Sequence, residues 1–234
     1  MSKEEMHSLV MTMLTVMQVS IVVPMAVVWW RRRHFPPEIK LLSGYVYLSV
    51  AAVVGARVLC PAYFETNYGF LTGFNLGKIA LFAAVYYQVV ASAKTRRLVV
   101  ATTVATLTGV FVVMLNDWHL AVAVSRVAQC ALLAGFAMVY LEQTLNRRPL
   151  RPLSQDPMWL LGIGQLLYSA GTVTAFSLEY LTTTIYDQSS KFIFVSIAGL
   201  VFNYFLTLAF LRANRLSSSP AETQLSGAIQ LANS

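Results

Sequence analysis

Seven apolar runs, each close to the length that crosses a bilayer, occupy most of the 234 residues: 7–30, 39–59, 71–93, 98–115, 119–141, 158–181 and 192–211. Crossing the hydrocarbon core takes roughly 20 mostly apolar residues in a helix. No water reaches the backbone there, so each N–H and C=O must be satisfied within the protein, and only helices or closed barrels qualify. Barrel strands show alternating segments of about ten residues, a pattern these runs lack. The chain therefore reads as all-α: a polytopic membrane protein with seven transmembrane helices. Residues 1–215 form a single membrane domain. Residues 216–234, rich in Ser and Ala and without an apolar period, read as a disordered cytoplasmic tail.

Composition agrees, with 57% hydrophobic and 12% charged residues, about half the charged share of an ordinary soluble domain. A net charge of +7 would suit a nucleic-acid partner, but the placement of the charges excludes one. Arg31, Arg32, Arg33 and Lys40 lie between spans 1 and 2, and Lys94, Arg96 and Arg97 between spans 3 and 4. Arg147, Arg148 and Arg151 lie between spans 5 and 6, and Arg212 and Arg215 follow span 7, which puts twelve of the seventeen basic residues on one side. Cytoplasmic loops collect Lys and Arg near the ends of spans. The N-terminus is therefore expected outside and the C-terminus in the cytoplasm, in a bacterial inner membrane. "MSKEEMH" has no basic n-region and "RRRH" follows the first apolar run, the reverse of a cleaved signal peptide. Span 1 is read as retained.

Breakers fall between the runs: "HFPPEIK" after span 1 and "NRRPLRPLSQDP" after span 5, with Pro157 suited to the first turn of span 6. Pro24 should kink span 1. Cys60 sits near the outer end of span 2 and Cys130 well inside span 5, so no disulfide between them is expected. Two cysteines and the scattered His7, His34 and His119 have no metal-ligand spacing, and neither a metal nor a cofactor is expected.

Span 6 poses the functional question, because "MWLLGIGQLLYSAGTVTAFSLEYL" carries Gln165, Tyr168, Ser169, Thr172, Thr174 and Glu179. At 100° per residue Gln165, Ser169, Thr172, Phe176 and Glu179 fall within about 40° of one direction, a polar face turned into the bundle. Gly162, Gly164 and Gly171 flank it and admit a close neighbour. In span 5 His119, Arg126, Gln129 and Cys130 share a face. Arg126 is roughly 10 Å below the outer end, and Lys78 of span 3 stands at similar depth with Asn75 above it. Arg57 lies near the outer end of span 2. Span 7 adds a stripe of Ser196, Gly199, Asn203 and Thr207.

Buried charge is costly in a membrane, at least ~2.5–3.5 kcal/mol, and finds partners or water. Arg57, Lys78 and Arg126 face only Glu179 and Asp117 as counter-ions in the outer half, which leaves one positive charge over. A small anionic ligand would complete such a site, met by Arg57, Lys78 and Arg126, balanced by Glu179 and oriented by Gln165 and Thr172. Structural pairing, Lys78 with Glu179 and Arg126 with Asp117, is the other reading of the same residues, and Arg57 can snorkel to the interface.

Several seven-helix chemistries are excluded. A retinal protein needs a lysine within span 7, but "FIFVSIAGLVFNYFLTLAFL" has none and Lys191 lies at its outer lip. There is no Pro-Gln dipeptide, GxSxG, HExxH or aspartate pair within the spans, so no enzyme is expected. "VYLEQTL", a Pro-rich basic loop and "DPMWLLGIGQLLYSAG" together resemble a group of bacterial seven-helix membrane proteins, related regions of which serve as membrane input modules of sensor histidine kinases. The likeness covers spans 5 to 7 and carries no catalytic motif. It implies a stand-alone sensor-like or binding module that has the bilayer, a small anionic ligand and a cytoplasmic signalling protein as partners. The runner-up is a small-solute transporter or channel along the same polar seam, against which stands the concentration of charge in the outer half.

Overall fold

The computed structural model describes the backbone of residues 3–59, 68–146, 152–181 and 185–216, and side chains within 4–57, 68–146, 152–177 and 191–213. Cys60, Arg147, Arg148, Arg151, the side chains of Glu179 and Arg215, and the tail from 217 lie outside the described residues. Among these residues eight α-helices follow one another: α1 Lys3–Val19, α2 Val22–Arg31, α3 Pro37–Val54, α4 Tyr68–Val89, α5 Ala93–Asn116, α6 Trp118–Asn146, α7 Pro157–Leu181 and α8 Ile185–Leu216. Among the described residues there is no strand.

Among the described residues six helical segments are long and apolar enough to cross a membrane: Glu4–His34, which joins α1 and α2, then Pro37–Arg57, Tyr68–Val89, Ala93–Asn116, Trp118–Asn146 and Lys191–Ala213. The 25-residue α7 is not among them. Its length suffices at about 1.5 Å per residue. What lowers its hydropathy is the polar string, and Gln165, Ser169 and Thr172 are all buried. Six of the seven runs read from the sequence thus correspond to membrane-compatible segments among the described residues, and the run 158–181, the one with the polar string, forms the helix α7 packed among them.

Pro24 breaks the first segment. Its missing N–H leaves the carbonyl of Ser20 without its helical donor, and Val23 N donates to that oxygen instead at 3.2 Å. The ladder resumes with Met25 N on Ile21 O, 3.1 Å. The polar stripe of α8 serves this break. Asn203 Nδ2 donates to Ser20 Oγ at 2.7 Å and to Met17 O at 3.4 Å, while a Cβ on Gly199 would stand 2.8 Å from Met17 Cγ. Ser196 and Thr207 bond back to their own helix, on Phe192 O and Asn203 O. That stripe fastens the first segment to the last. Asn203→Leu is expected to lower stability by about 0.6–1.7 kcal/mol, the range of interhelical hydrogen bonds in membranes, as read by thermal unfolding in detergent.

The α7–α8 pair is the most extensive packing in the molecule; α6 packs on α7 and α4, and α4 on α3. Helix α5 lies outside, against α6 and α4. A single residue, Asp117, joins α5 to α6. Its Oδ1 caps α6 by accepting from His119 N at 2.8 Å and Leu120 N at 3.2 Å. Asp156 does the same for α7, accepting from Met158 N at 2.9 Å while also taking the Tyr140 hydroxyl at 2.8 Å. Trp29, Trp30 and Trp118 stand exposed at helix ends, where amphipathic rings meet an interface.

Candidate ligand-binding seam

Lys78 stands near the midpoint of the 22-residue α4, about 15 Å from either end at the helical rise. That is deeper than the run 71–93 suggests, because the helix begins at Tyr68. The side chain is 1% exposed. Its Nζ lies 4.1 Å from the Tyr168 ring centroid, 5.1 Å from Phe202 and 5.2 Å from Tyr45. These rings, from α7, α8 and α3, are its partners among the described residues. A desolvated cation–π contact contributes about 2 kcal/mol. The cage therefore holds the ammonium without neutralising it.

Buried polar side chains of three helices line the bundle interior along the cage. From α4 come Thr72 and Asn75, from α6 Ser125 and Gln129, and from α7 Gln165, Ser169 and Thr172, all buried. Some satisfy one another. Asn75 Nδ2 donates to Ser125 Oγ at 2.9 Å, Ser125 donates to Val122 O at 3.0 Å, and Gln165 Nε2 donates to Ser169 Oγ at 3.4 Å. Others are not satisfied. Thr72 Oγ1 and Gln165 Oε1 are buried with no hydrogen-bond partner among the described residues, whereas Ser49 lies against the Tyr45 hydroxyl, Gln129 against that of Tyr168, and Thr172 against Tyr168 and Cys130. Buried polar atoms are paired in the large majority of cases, and each orphan costs roughly 1–3 kcal/mol. Such atoms, in a bundle whose buried ammonium meets no carboxylate among the described residues, suit a place that takes a polar group. Tyr168 joins the parts, since it stacks over Lys78 and lies beside Gln129, Thr172 and Cys130.

Arg126 occupies the rim. It is half-buried, with Cζ 4.8 Å from the Phe176 ring centroid. With Val127, Cys130, Thr172, Val173, Phe176 and Ser177 it lines a cleft of about 170 Å³ between α6 and α7. Asp117, its expected counter-ion, is occupied as the cap of α6. Arg57 is exposed in the π-helical turn Gly55–Leu59, and its guanidinium donates to Thr15 Oγ1 of α1 at 3.3 Å. The structure thus brings Lys78 and Thr172 together through Tyr168 and Cys130, with Arg126 at their edge, keeps Gln165 buried on the same face of α7 bonded to Ser169, and directs Arg57 to α1. Glu179 belongs to α7, with its side chain outside the described residues. Cys130 is a free, buried thiol at the seam.

Sequence reading does not single out Tyr45, Ser49 or Phe202, because a ring in an apolar run is ordinary core. The available signal was the i, i+4 spacing of Tyr45 and Ser49 on one face of α3. No family model matches the chain, and no curated protein or solved structure is similar to it.

Proposed function

We propose that the protein is a seven-span integral membrane protein, N-terminus outside and C-terminus cytoplasmic, that binds a ligand bearing an anionic group in the seam around Lys78. It acts as a sensor-like or binding module of a bacterial inner membrane, with a cytoplasmic protein to receive the signal. The observation that carries this reading is the buried ammonium of Lys78, which three aromatic rings and no described carboxylate surround. An anion there would take hydrogen bonds from Lys78, Gln129 and Thr172 together. The orientation is supported by Arg31, Arg32, Arg33, Lys40, Lys94, Arg96, Arg97 and Arg212, which sit at alternate helix ends. Binding is favoured over conduction by the packing beyond Lys78. Phe82, Leu133, Phe136, Leu161 and Leu206 fill much of that region as buried core.

Thermal unfolding in lipid nanodiscs against carboxylates of graded chain length tests the reading. Saturation at a hundred times Kd stabilises by about 2.7 kcal/mol, which for a domain of this size raises Tm by roughly 5–10 °C. At least one carboxylate is expected to give such a shift in the wild type and none in Lys78→Met. An equal shift in both proteins, or none in either, would overturn the proposal. Reporter fusions in 31–38, 94–97 and 147–156 should all report cytoplasmic, and an external signal from any of them sinks the topology.

A further inference from the structure

The cleft at Arg126 opens on the exposed outer side of α6 and α7, the side a bilayer around the bundle would cover. Its rim residues Val127 and Val173 are 57% and 48% exposed. Its floor, Cys130 and Thr172, is 1% exposed and belongs to the seam. The cleft therefore leads from the bilayer to the polar cluster, with a guanidinium set among apolar walls on the way. A fully water-soluble anion has no reason to concentrate at such an opening, since it does not partition into hydrocarbon. A molecule carrying its own acyl chain does. The cleft's volume of about 170 Å³ is right for a carboxylate and its first methylenes, leaving the remaining chain in the membrane.

Resting on the binding function proposed above, we infer that the ligand is a membrane-borne single-chain carboxylate, a long-chain fatty acid, that enters sideways between α6 and α7. Its headgroup passes Arg126 and reaches Thr172 and the Lys78 cage. The chain stays along Val127 and Val173, so the site reads charge at one end and acyl length at the other. The guanidinium lying on Phe176 is placed to draw the headgroup in while the ring covers its apolar face.

Equilibrium binding of radiolabelled palmitate to the full-length protein in zwitterionic nanodiscs tests this inference, with butyrate and hexadecanol as competitors. Unlabelled palmitate is expected to displace the label. Butyrate, which lacks the chain, and hexadecanol, which lacks the charge, should each do so at least a hundredfold less well. Val173→Trp, which fills the rim from an exposed position, should weaken palmitate binding at least tenfold, and Val127→Trp should do the same from the facing helix. Leu167→Trp, also exposed on α7 but away from the cleft, should bind as the wild type does. Butyrate competing as well as palmitate, or binding unchanged in both rim variants, would overturn lateral access while leaving the Lys78 seam as an anion site. Loss of binding in Leu167→Trp as well would also count against the cleft. Absence of binding by either carboxylate would remove both this inference and the function it rests on.

Discussion

Lys78→Met is expected to raise the unfolding temperature of the ligand-free protein, which few substitutions of a fully buried residue do. A lysine at the centre of a span costs at least ~2.5–3.5 kcal/mol to insert. The rings of Tyr45, Tyr168 and Phe202 offset part of that. Methionine has similar length and no charge, and its thioether keeps a favourable contact with aromatic rings of roughly 0.3–1.5 kcal/mol. The balance favours the variant by about 1–2 kcal/mol, or roughly 2–8 °C in a chain of this size. Lys78→Gln should show no such gain, because it buries a new unpaired amide. A lysine kept for packing alone would behave differently: Lys78→Met would unfold at lower temperature, and the cage would be structural glue. Stability surrendered at a buried residue is what a binding site looks like before its ligand arrives.

Gly164→Ala and Gly171→Ala are expected to produce the largest losses of stability. A Cβ on Gly164 would stand 2.6 Å from Phe205 Cβ, and one on Gly171 2.8 Å from Ala198 Cβ. Neither neighbouring atom is the end of a flexible chain, so α7 and α8 must separate. Overpacking of this kind costs typically about 1–3 kcal/mol, and it falls on the most extensive helix pair in the fold. The consequence reaches the seam. Tyr168 belongs to α7 and Phe202 to α8, and both rings face Lys78. Each variant should therefore unfold roughly 2–12 °C lower and bind ligand less well. Gly135→Ala is the matched control. Its added Cβ meets nothing within 4 Å, so helix propensity should leave it neutral or slightly more stable. Equal behaviour of the three alanine variants in a thermal unfolding series would mean that close helix approach does not hold this pair together.

Much of the architecture was legible because membrane helices advertise themselves through uninterrupted apolarity. Pro24 located the break in the first segment, Pro157 the start of α7, and the small residues of α7 its close partner. The helix that carries Lys78 begins three residues before the run 71–93, because Tyr68 and Gly69 are not apolar enough to announce it. The face of α7 was legible from its 100° spacing, and Gln165, Ser169 and Thr172 are indeed buried together. Spacing along one helix says nothing about which neighbour that face meets. Asn203 looked equivalent to Gln165 in the sequence, yet it fastens α8 to Ser20. Arg57 looked equivalent to Arg126, yet it turns to Thr15. The aromatic cage was illegible for a related reason. Tyr45, Tyr168 and Phe202 come from three separate helices, and only the packing of α3, α7 and α8 around α4 brings them to one ammonium.

The claim that Lys78 is the anion-receiving group is tested most directly by dipolar-recoupling solid-state NMR on the lipid-reconstituted protein. Lysine side chains carry ¹⁵N at Nζ, and the best-stabilising carboxylate carries ¹³C at its carboxyl carbon. A coupling that corresponds to about 3–4 Å, the span of a charge-assisted hydrogen bond plus the C–O bond, is expected in the wild type and absent in Lys78→Met. A bound carboxylate with no coupling to any lysine Nζ, or one whose coupling survives in Lys78→Met, would place the anion elsewhere and contradict the role assigned to the seam.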